Sequence, residues 1–161
     1  MPSWETGALT VMKPTRADQM ATRSFIDTKV LIYAEACDAP AKQRAALTLL
    51  KGLYENNEGV LSTQVLQEYC NVALKKLKLP AQHVRAQLDL YEQFEVVQVT
   101  PAVIRAGLDL HQTRSVAFYD ALIIASAQIA GCNQLFSENL NAGETMAGVS
   151  IVNPFAQRPG A

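Results

Sequence analysis

The sequence is poor in charge, in cysteine and in long apolar runs. Of 161 residues, 18% are charged, below the roughly 25% typical of soluble domains. Part of the surface must therefore be apolar, which favours self-association or a protein partner. Cys37, Cys70 and Cys132 are isolated and odd in number, which indicates small buried residues in a reducing compartment and argues against a disulfide framework or a zinc site. No stretch approaches the roughly 18 apolar residues of a transmembrane helix.

Net charge is also low, at −1, so binding to nucleic acid would need a local basic patch. The N-terminus lacks the apolar core of a signal peptide and carries Glu5, which predicts a cytoplasmic protein that is neither secreted nor bound to a membrane. We expect a flexible extension over residues 1–22, one domain over residues 23–155 and a tail over residues 156–161.

Short apolar segments alternate with segments of helical periodicity along the chain. This alternation predicts an α/β fold with a short parallel sheet and helices on its faces, in a three-layer α/β/α sandwich. The predicted strands are 24–27, 60–61, 95–100, 134–136 and 149–152, and the predicted helices are 28–36, 41–53, 64–78, 81–94, 101–112 and 118–130.

Three acidic residues, Asp27, Glu68 and Asp120, interrupt apolar stretches near predicted helix starts. Each has a simpler explanation: an N-cap, an edge residue in a salt bridge, and a first-turn acid favoured by the helix dipole. Desolvating a carboxylate is unfavourable unless it is paired, hydrogen-bonded or bound to a metal. Three such residues in one fold favour a shared site, and hard oxygen ligands suit Mg²⁺ or Mn²⁺.

A fourth polar segment, LFSENLNAG, follows the strand predicted at 134–136. Ser137 can donate a hydrogen bond, and Asn139 can offer an amide oxygen to a cation. Taken alone, the segment is also typical of a polar loop with turn-forming Asn and Gly.

These segments resemble the PIN-domain family, and specifically the toxin ribonucleases of VapBC toxin–antitoxin pairs, over residues 24–155. FIDTKVLIYA resembles the opening strand and helix of the family, with Asp27 at its first acidic position. LSTQVLQEYCNV resembles the second motif through Glu68, and FYDALIIASA the third through Asp120. LFSENLNAG followed by VSIVNPF resembles the closing segment.

The chain departs from the family pattern at two positions. Lys29 stands where the family usually has Asn, and Asn139 stands where it usually has Asp. Both differences make the site less negative and should weaken its affinity for a divalent cation. Glu138 matches the neighbouring family position and not the missing ligand.

The resemblance implies a Mg²⁺- or Mn²⁺-dependent endoribonuclease that hydrolyses RNA phosphodiester bonds. Asp27, Glu68 and Asp120 would be its catalytic metal ligands, with Asn139 as a further ligand. Arg114 would contact a substrate phosphate. The resemblance also implies a cognate antitoxin and a homodimer, and it leaves open whether one or two metals bind.

Two other functions are compatible with the sequence. One is a PIN-like domain with weakened catalysis that acts as an RNA- or protein-binding module, motivated by Lys29 and Asn139. The other is a phosphoacceptor signalling domain, which would need an Asp at the end of the third strand. That strand runs into Pro101 without one, so this function ranks last.

Overall fold

A computed structural model describes residues 22–156 of the chain. The predicted extension (1–22) and tail (156–161) therefore lie outside the described residues except for Thr22 and Ala156, and they stay predictions. The described part contains six strands, β1 Ser24–Ile26, β2 Gly59–Ser62, β3 Glu95–Val97, β4 Gln134–Phe136, β5 Thr145–Met146 and β6 Val149–Val152. Its six helices are α1 Thr28–Tyr33, α2 Pro40–Glu55, α3 Thr63–Lys75, α4 Ala81–Tyr91, α5 Pro101–Arg114 and α6 Phe118–Ile129.

The six strands form one sheet in the order β3-β2-β1-β4-β6-β5. The first five strands in that order run parallel, while β5 pairs with β6 in the antiparallel direction. Helices flank the sheet, so the predicted α/β fold with a short, mostly parallel sheet is confirmed. The prediction missed β5, which forms because Ala147 and Gly148 adopt positive φ angles of 50° and 77° and reverse the chain.

The helices begin and end where local chemistry satisfies their backbone groups. The Ser62 side chain accepts a hydrogen bond from the Val65 amide at the start of α3, and Thr100 does the same for Val103 at the start of α5. Helix α6 is followed by Gly131 at φ 73°, the left-handed conformation in which helices commonly end.

The core lies between the sheet and these helices. Phe25 and Ile26 on β1 are fully buried, and α6 has seven consecutive buried residues over 121–127. Helix α6 is therefore enclosed on most sides. Within residues 22–156, no helix is both long enough and apolar enough to cross a membrane.

The prediction is wrong at several element ends and for one cysteine. The helices predicted to end at 78 and 94 end at Lys75 and Tyr91. The first helix ends at Tyr33 and the third strand at Val97, both a few residues short of their predicted ends. Cys37 is exposed, while Cys132 is buried as expected. The apolar surroundings of Cys37 in sequence say nothing of its position in the turn after α1.

The sheet order places the ends of β1 and β4 side by side. Ile26 pairs with Phe136 in the register of these strands, and the Asp27 amide donates a hydrogen bond to the Phe136 carbonyl at 3.0 Å. Asp27 and Ser137, the next residues along each strand, are therefore neighbours. Because β1 lies between β2 and β4, this edge is the switch point of strand order, where α/β folds bind ligands.

Candidate functional site

Four side chains singled out by the sequence line a single cavity of about 410 Å³ at this edge of the sheet. They are Asp27 after β1, Glu68 on α3, Asp120 in the first turn of α6, and Asn139 after β4. We call this space the acid cavity. The structure thus brings together residues that are as far apart as 112 positions in the chain, as predicted; their roles in catalysis and metal binding stay predictions.

Asp27 is the most buried acid of the cavity, with 7% of its surface exposed. One carboxylate oxygen accepts a hydrogen bond from the Thr28 amide, and the other accepts one from the Ser137 hydroxyl, both at 2.7 Å. Burial raises the pKa of Asp27, the two hydrogen bonds oppose that rise, and the charges of Glu68 and Asp120 add to it. Asp27 is therefore both the N-cap of α1 and a member of the acid cavity.

Glu68 is held by two side-chain donors. The Thr28 hydroxyl donates to Oε2 at 2.6 Å, and the Gln64 amide donates to Oε1 at 2.9 Å. Glu68 forms no ion pair with any residue that the structure describes, so the alternative of a surface salt bridge fails. Thr28 bonds to Asp27 through its amide and to Glu68 through its hydroxyl, which fixes the two acids relative to each other.

Asp120 is partly buried and lies beside Glu68. Burial raises the pKa of Asp120, and the negative charge of Glu68 raises it further. The preceding residue, Tyr119, is 67% exposed, so its ring lies at the surface and not in the core. Its carbonyl oxygen accepts a hydrogen bond from the Gln64 amide at 3.3 Å.

Gln64 is a polar cavity residue that the sequence did not single out. Only 6% of it is exposed, and its Oε1 has no hydrogen-bond partner among the described residues. A buried acceptor without a donor destabilises a fold by about 1–3 kcal/mol. An isolated Gln carries no pattern in the sequence; its importance comes from contact with Tyr119, which is 55 positions away.

Glu138 belongs to a basic cluster beside the cavity. Lys42 Nζ lies 2.9 Å from Glu138 Oε2, Lys29 Nζ lies 3.8 Å from Oε1, and the Tyr33 hydroxyl donates to Oε1 at 2.7 Å. Burial alone would raise the pKa of Glu138, but the hydrogen bonds from Lys42 and Tyr33 and the charge of Lys29 bring it below its usual value. Glu138 does not line the acid cavity and so does not replace the missing carboxylate.

Two basic side chains, Lys29 and Lys76, line the acid cavity. Lys29 is the residue that replaces the usual Asn of the family, and Lys76 follows the C-terminal end of α3. Arg114 is exposed at the end of α5 and does not line the cavity. Its predicted contact with a substrate phosphate stays a prediction.

The cavity has the donor chemistry of a divalent-cation site. Carboxylate and amide oxygens are the ligands that Mg²⁺ and Mn²⁺ prefer, and the mutual repulsion of Asp27, Glu68 and Asp120 would be relieved by a cation. Among residues 22–156, no group of three or more His, Cys, Asp and Glu side chains is arranged to hold an ion in the described conformation. The donor set of the cavity therefore suits a divalent cation by its chemistry, although the described conformation does not form a ready coordination site.

A second and larger cavity, of about 760 Å³, lies between α2 and α4. Two of its lining residues, Leu47 and Leu90, are about half exposed, at 50% and 54%. Glu35 in this cavity accepts a hydrogen bond from the Tyr69 hydroxyl and pairs with His83. His83 thus has a structural partner in Glu35.

A sequence model of the PIN domain matches residues 24–145. The chain belongs to the PIN-domain family. The predicted family is thereby confirmed, and the matched part of the PIN domain includes Asp27, Glu68, Asp120 and Asn139. No curated protein matches the chain significantly.

Solved structures of bacterial toxin–antitoxin proteins share the fold of this PIN domain. A toxin–antitoxin complex from Klebsiella pneumoniae superposes with a TM-score of 0.61 and 21% identity, covering 81% of this chain and 97% of that one. VapBC2 from Rickettsia felis, bound to a DNA fragment from its promoter, superposes with a TM-score of 0.59 and 17% identity, covering 81% of this chain and 97% of that one. VapC20 from Mycobacterium tuberculosis, a toxin that cleaves the sarcin-ricin loop, superposes with a TM-score of 0.55 and 21% identity, covering 72% of this chain and 89% of that one. At these identities the likeness establishes the fold.

Proposed function

We propose that this PIN domain is a metal-dependent endoribonuclease and the toxin of a VapBC-type toxin–antitoxin pair. The observation that carries the proposal is the acid cavity, where Asp27, Glu68 and Asp120 converge and form no ion pair with any basic side chain of residues 22–156. One structural neighbour is a toxin that cleaves the sarcin-ricin loop, which supports RNA as the substrate.

Asp27, Glu68 and Asp120 would hold Mg²⁺ or Mn²⁺, with Asn139 as a further oxygen donor. When bound, the ion lowers the pKa of a coordinated water and neutralises charge on the phosphate that is attacked. Glu68 would also orient the attacking water.

The surrounding residues hold these acids in place. Ser137 and the Thr28 amide each bond to one oxygen of Asp27, so its carboxylate cannot rotate freely. Lys29 and Lys76, at the cavity lining, would attract the RNA backbone. Lys29 supplies positive charge next to the acids, which favours a phosphate but opposes a metal ion.

The test is RNA cleavage with Mn²⁺ by the parent protein and by Asp27→Asn and Asp120→Asn. Each substitution removes a carboxylate of the cavity, so cleavage should be abolished. Asp109→Asn is the matched control, because Asp109 is exposed on α5 and should leave the rate unchanged. The site assignment is wrong if either cavity variant cuts as fast as the parent.

The proposed partners are an antitoxin and a second copy of the chain in the cytoplasm. The Klebsiella neighbour is a toxin–antitoxin complex, which supports an antitoxin, and half-exposed Leu47 and Leu90 offer apolar surface to a protein. Exposed Ile104 and Leu108, one turn apart on α5, are consistent with a homodimer. Co-expression with an antitoxin-like protein encoded by an adjacent small reading frame should suppress RNA cleavage.

A second candidate is a PIN domain with weakened catalysis that binds RNA or protein. The observations that favour it are the positive charge of Lys29 and the neutral amide of Asn139 at the cavity lining. This alternative predicts RNA or antitoxin binding without cleavage, and no Mn²⁺ binding at millimolar concentration. Restored Mn²⁺ binding in Asn139→Asp would support it further.

A further inference from the structure

We propose that Gln64 is a positioning residue that fixes the separation of Glu68 and Asp120 across the acid cavity. The inference rests on the proposed function, because it gives these two acids a common task. Gln64 is not one of the residues that the sequence pattern singles out, and it is not a carboxylate ligand; its role is to hold the ligands.

The first support is geometric. Gln64 and Glu68 are four residues apart on α3, so they share one face of that helix. The Gln64 amide donates to Glu68 Oε1 at 2.9 Å and to the carbonyl oxygen of Tyr119 at 3.3 Å. Because Tyr119 directly precedes Asp120, these two hydrogen bonds tie the acid on α3 to the backbone next to the acid on α6.

The second support is electrostatic. Glu68 and Asp120 carry like charges at the same cavity, and their repulsion opposes a close approach of the two acids. The Gln64 amide supplies a neutral donor without adding a charge that would compete with a cation for the carboxylates. A Lys or Arg in its place would neutralise the site.

The third support is the orphaned amide oxygen. Both partners of Gln64 are acceptors, so the NH₂ group must face them and Oε1 must face away, where the described residues offer no donor. An apolar side chain of similar length would avoid this unsatisfied acceptor, but it would leave Glu68 Oε1 and the Tyr119 carbonyl oxygen without the donor that Gln64 supplies. The fold therefore keeps one unsatisfied amide oxygen together with two hydrogen bonds that join α3 to the start of α6.

The test compares Gln64→Met with the matched control Gln67→Met, since Gln67 is exposed on the same helix. Mn²⁺ affinity is measured by calorimetry, Tm by thermal unfolding without metal, and RNA cleavage with Mn²⁺. Substitution of groups that orient metal ligands typically weakens metal affinity by about 10- to 100-fold. We expect Gln64→Met to lose that much affinity and activity with a Tm close to that of the parent, because the loss of two hydrogen bonds and the removal of one unsatisfied acceptor oppose each other. Gln67→Met should match the parent in all three measurements.

The outcomes separate this inference from the proposed function. Parent-like Mn²⁺ affinity in Gln64→Met overturns the inference and leaves the nuclease intact. A large drop in Tm, or failure to fold, also overturns it, because Gln64 would then serve the fold. If Gln64→Met binds Mn²⁺ more weakly than the parent but the parent itself does not cut RNA, the inference is supported and the proposed nuclease function is overturned. A parent that binds no Mn²⁺ overturns both.

Discussion

At the scale of single residues, the carboxylates of the acid cavity lose much of their contact with water, and their hydrogen bonds only partly offset that loss. Asp27 is almost wholly buried, and its two hydrogen bonds do not cancel the effect of burial, so its pKa stays above the usual value. The pKa of the more exposed Asp120 is raised for the same reason and by Glu68. A carboxyl group whose pKa is raised by folding binds its proton more tightly in the folded state. Its contribution to stability therefore falls as pH rises through the folded-state pKa.

Asp27→Asn should therefore raise the Tm of the metal-free protein at pH 7 by a few degrees, because the neutral amide removes a buried charge. The gain should shrink as pH is lowered towards the pKa of Asp27, since the parent carboxyl is then protonated too. Asp120→Asn should show a smaller gain, because Asp120 is less buried. Thermal unfolding between pH 4 and 8 checks this, with Asp109→Asn as control. A lower Tm at pH 7 for Asp27→Asn would contradict it.

The sequence predicted the acids but not the residues that hold them. Asp27, Glu68 and Asp120 are charges in apolar surroundings, and that contrast is visible without a structure. Ser137 was predicted as a hydrogen-bond donor because it follows a strand. Thr28 and Gln64 were missed since a polar residue in the first turns of a helix is ordinary, and only tertiary contacts show what it binds.

At the scale of elements, Asp120 owes its place to the packing of α5 against α6. Gly107 on α5 has no side chain, and a Cβ atom there would lie 3.1 Å from both Cα and Cδ1 of Leu122 on α6. Only glycine lets the two helices approach this closely. Because Leu122 lies one half-turn beyond Asp120, a change in helix separation would move Asp120 relative to the rest of the cavity.

Gly107→Ala should lower the free energy of unfolding by about 1 kcal/mol. Overpacking destabilises by about 1–3 kcal/mol, which exceeds the gain of about 1 kcal/mol from the higher helix propensity of alanine. Gly52→Ala on α2 is the matched control, because nothing lies within 4 Å of its Cβ position. It should raise the free energy of unfolding by about 0.5–1 kcal/mol. Urea unfolding measures both free energies. A higher free energy of unfolding for Gly107→Ala would contradict the prediction, because it would mean that α6 shifts to accommodate the added methyl group.

Most helices and strands could be predicted because their hydrophobic periodicity is strong. The features that the prediction missed depend on contacts between elements that are distant in the sequence. Strand β5 has two residues and no period, so only its pairing with β6 defines it. Tyr119 follows Phe118 at the head of an apolar helix, yet its ring points to solvent because α6 buries the face that begins at Ala121. A sequence pattern predicts whether a segment is a helix or a strand more reliably than it predicts whether the side chains of its first residues are buried or exposed.

At the scale of the whole molecule, strand order assembles the site. The chain moves from β1 to β2 on one side and returns through β4 on the other. Asp27 and Ser137 therefore meet at adjacent strand ends, and the helices after β2 and before β4 bring in Glu68 and Asp120. The α/β alternation predicted this class of topology and the edge where ligands bind. It could not predict the distances between the acids, which depend on how α3 and α6 pack.

The measurement that tests the central claim most directly is a calorimetric titration of Mn²⁺ into the metal-free protein and into Asp27→Asn. If Asp27, Glu68 and Asp120 form one cation site, the parent should bind Mn²⁺ at or below millimolar concentration and Asp27→Asn should show no binding there. Asp109→Asn should bind as the parent does. Absence of binding in the parent, or equal binding in Asp27→Asn, would contradict the claim that these three acids act together on a divalent ion.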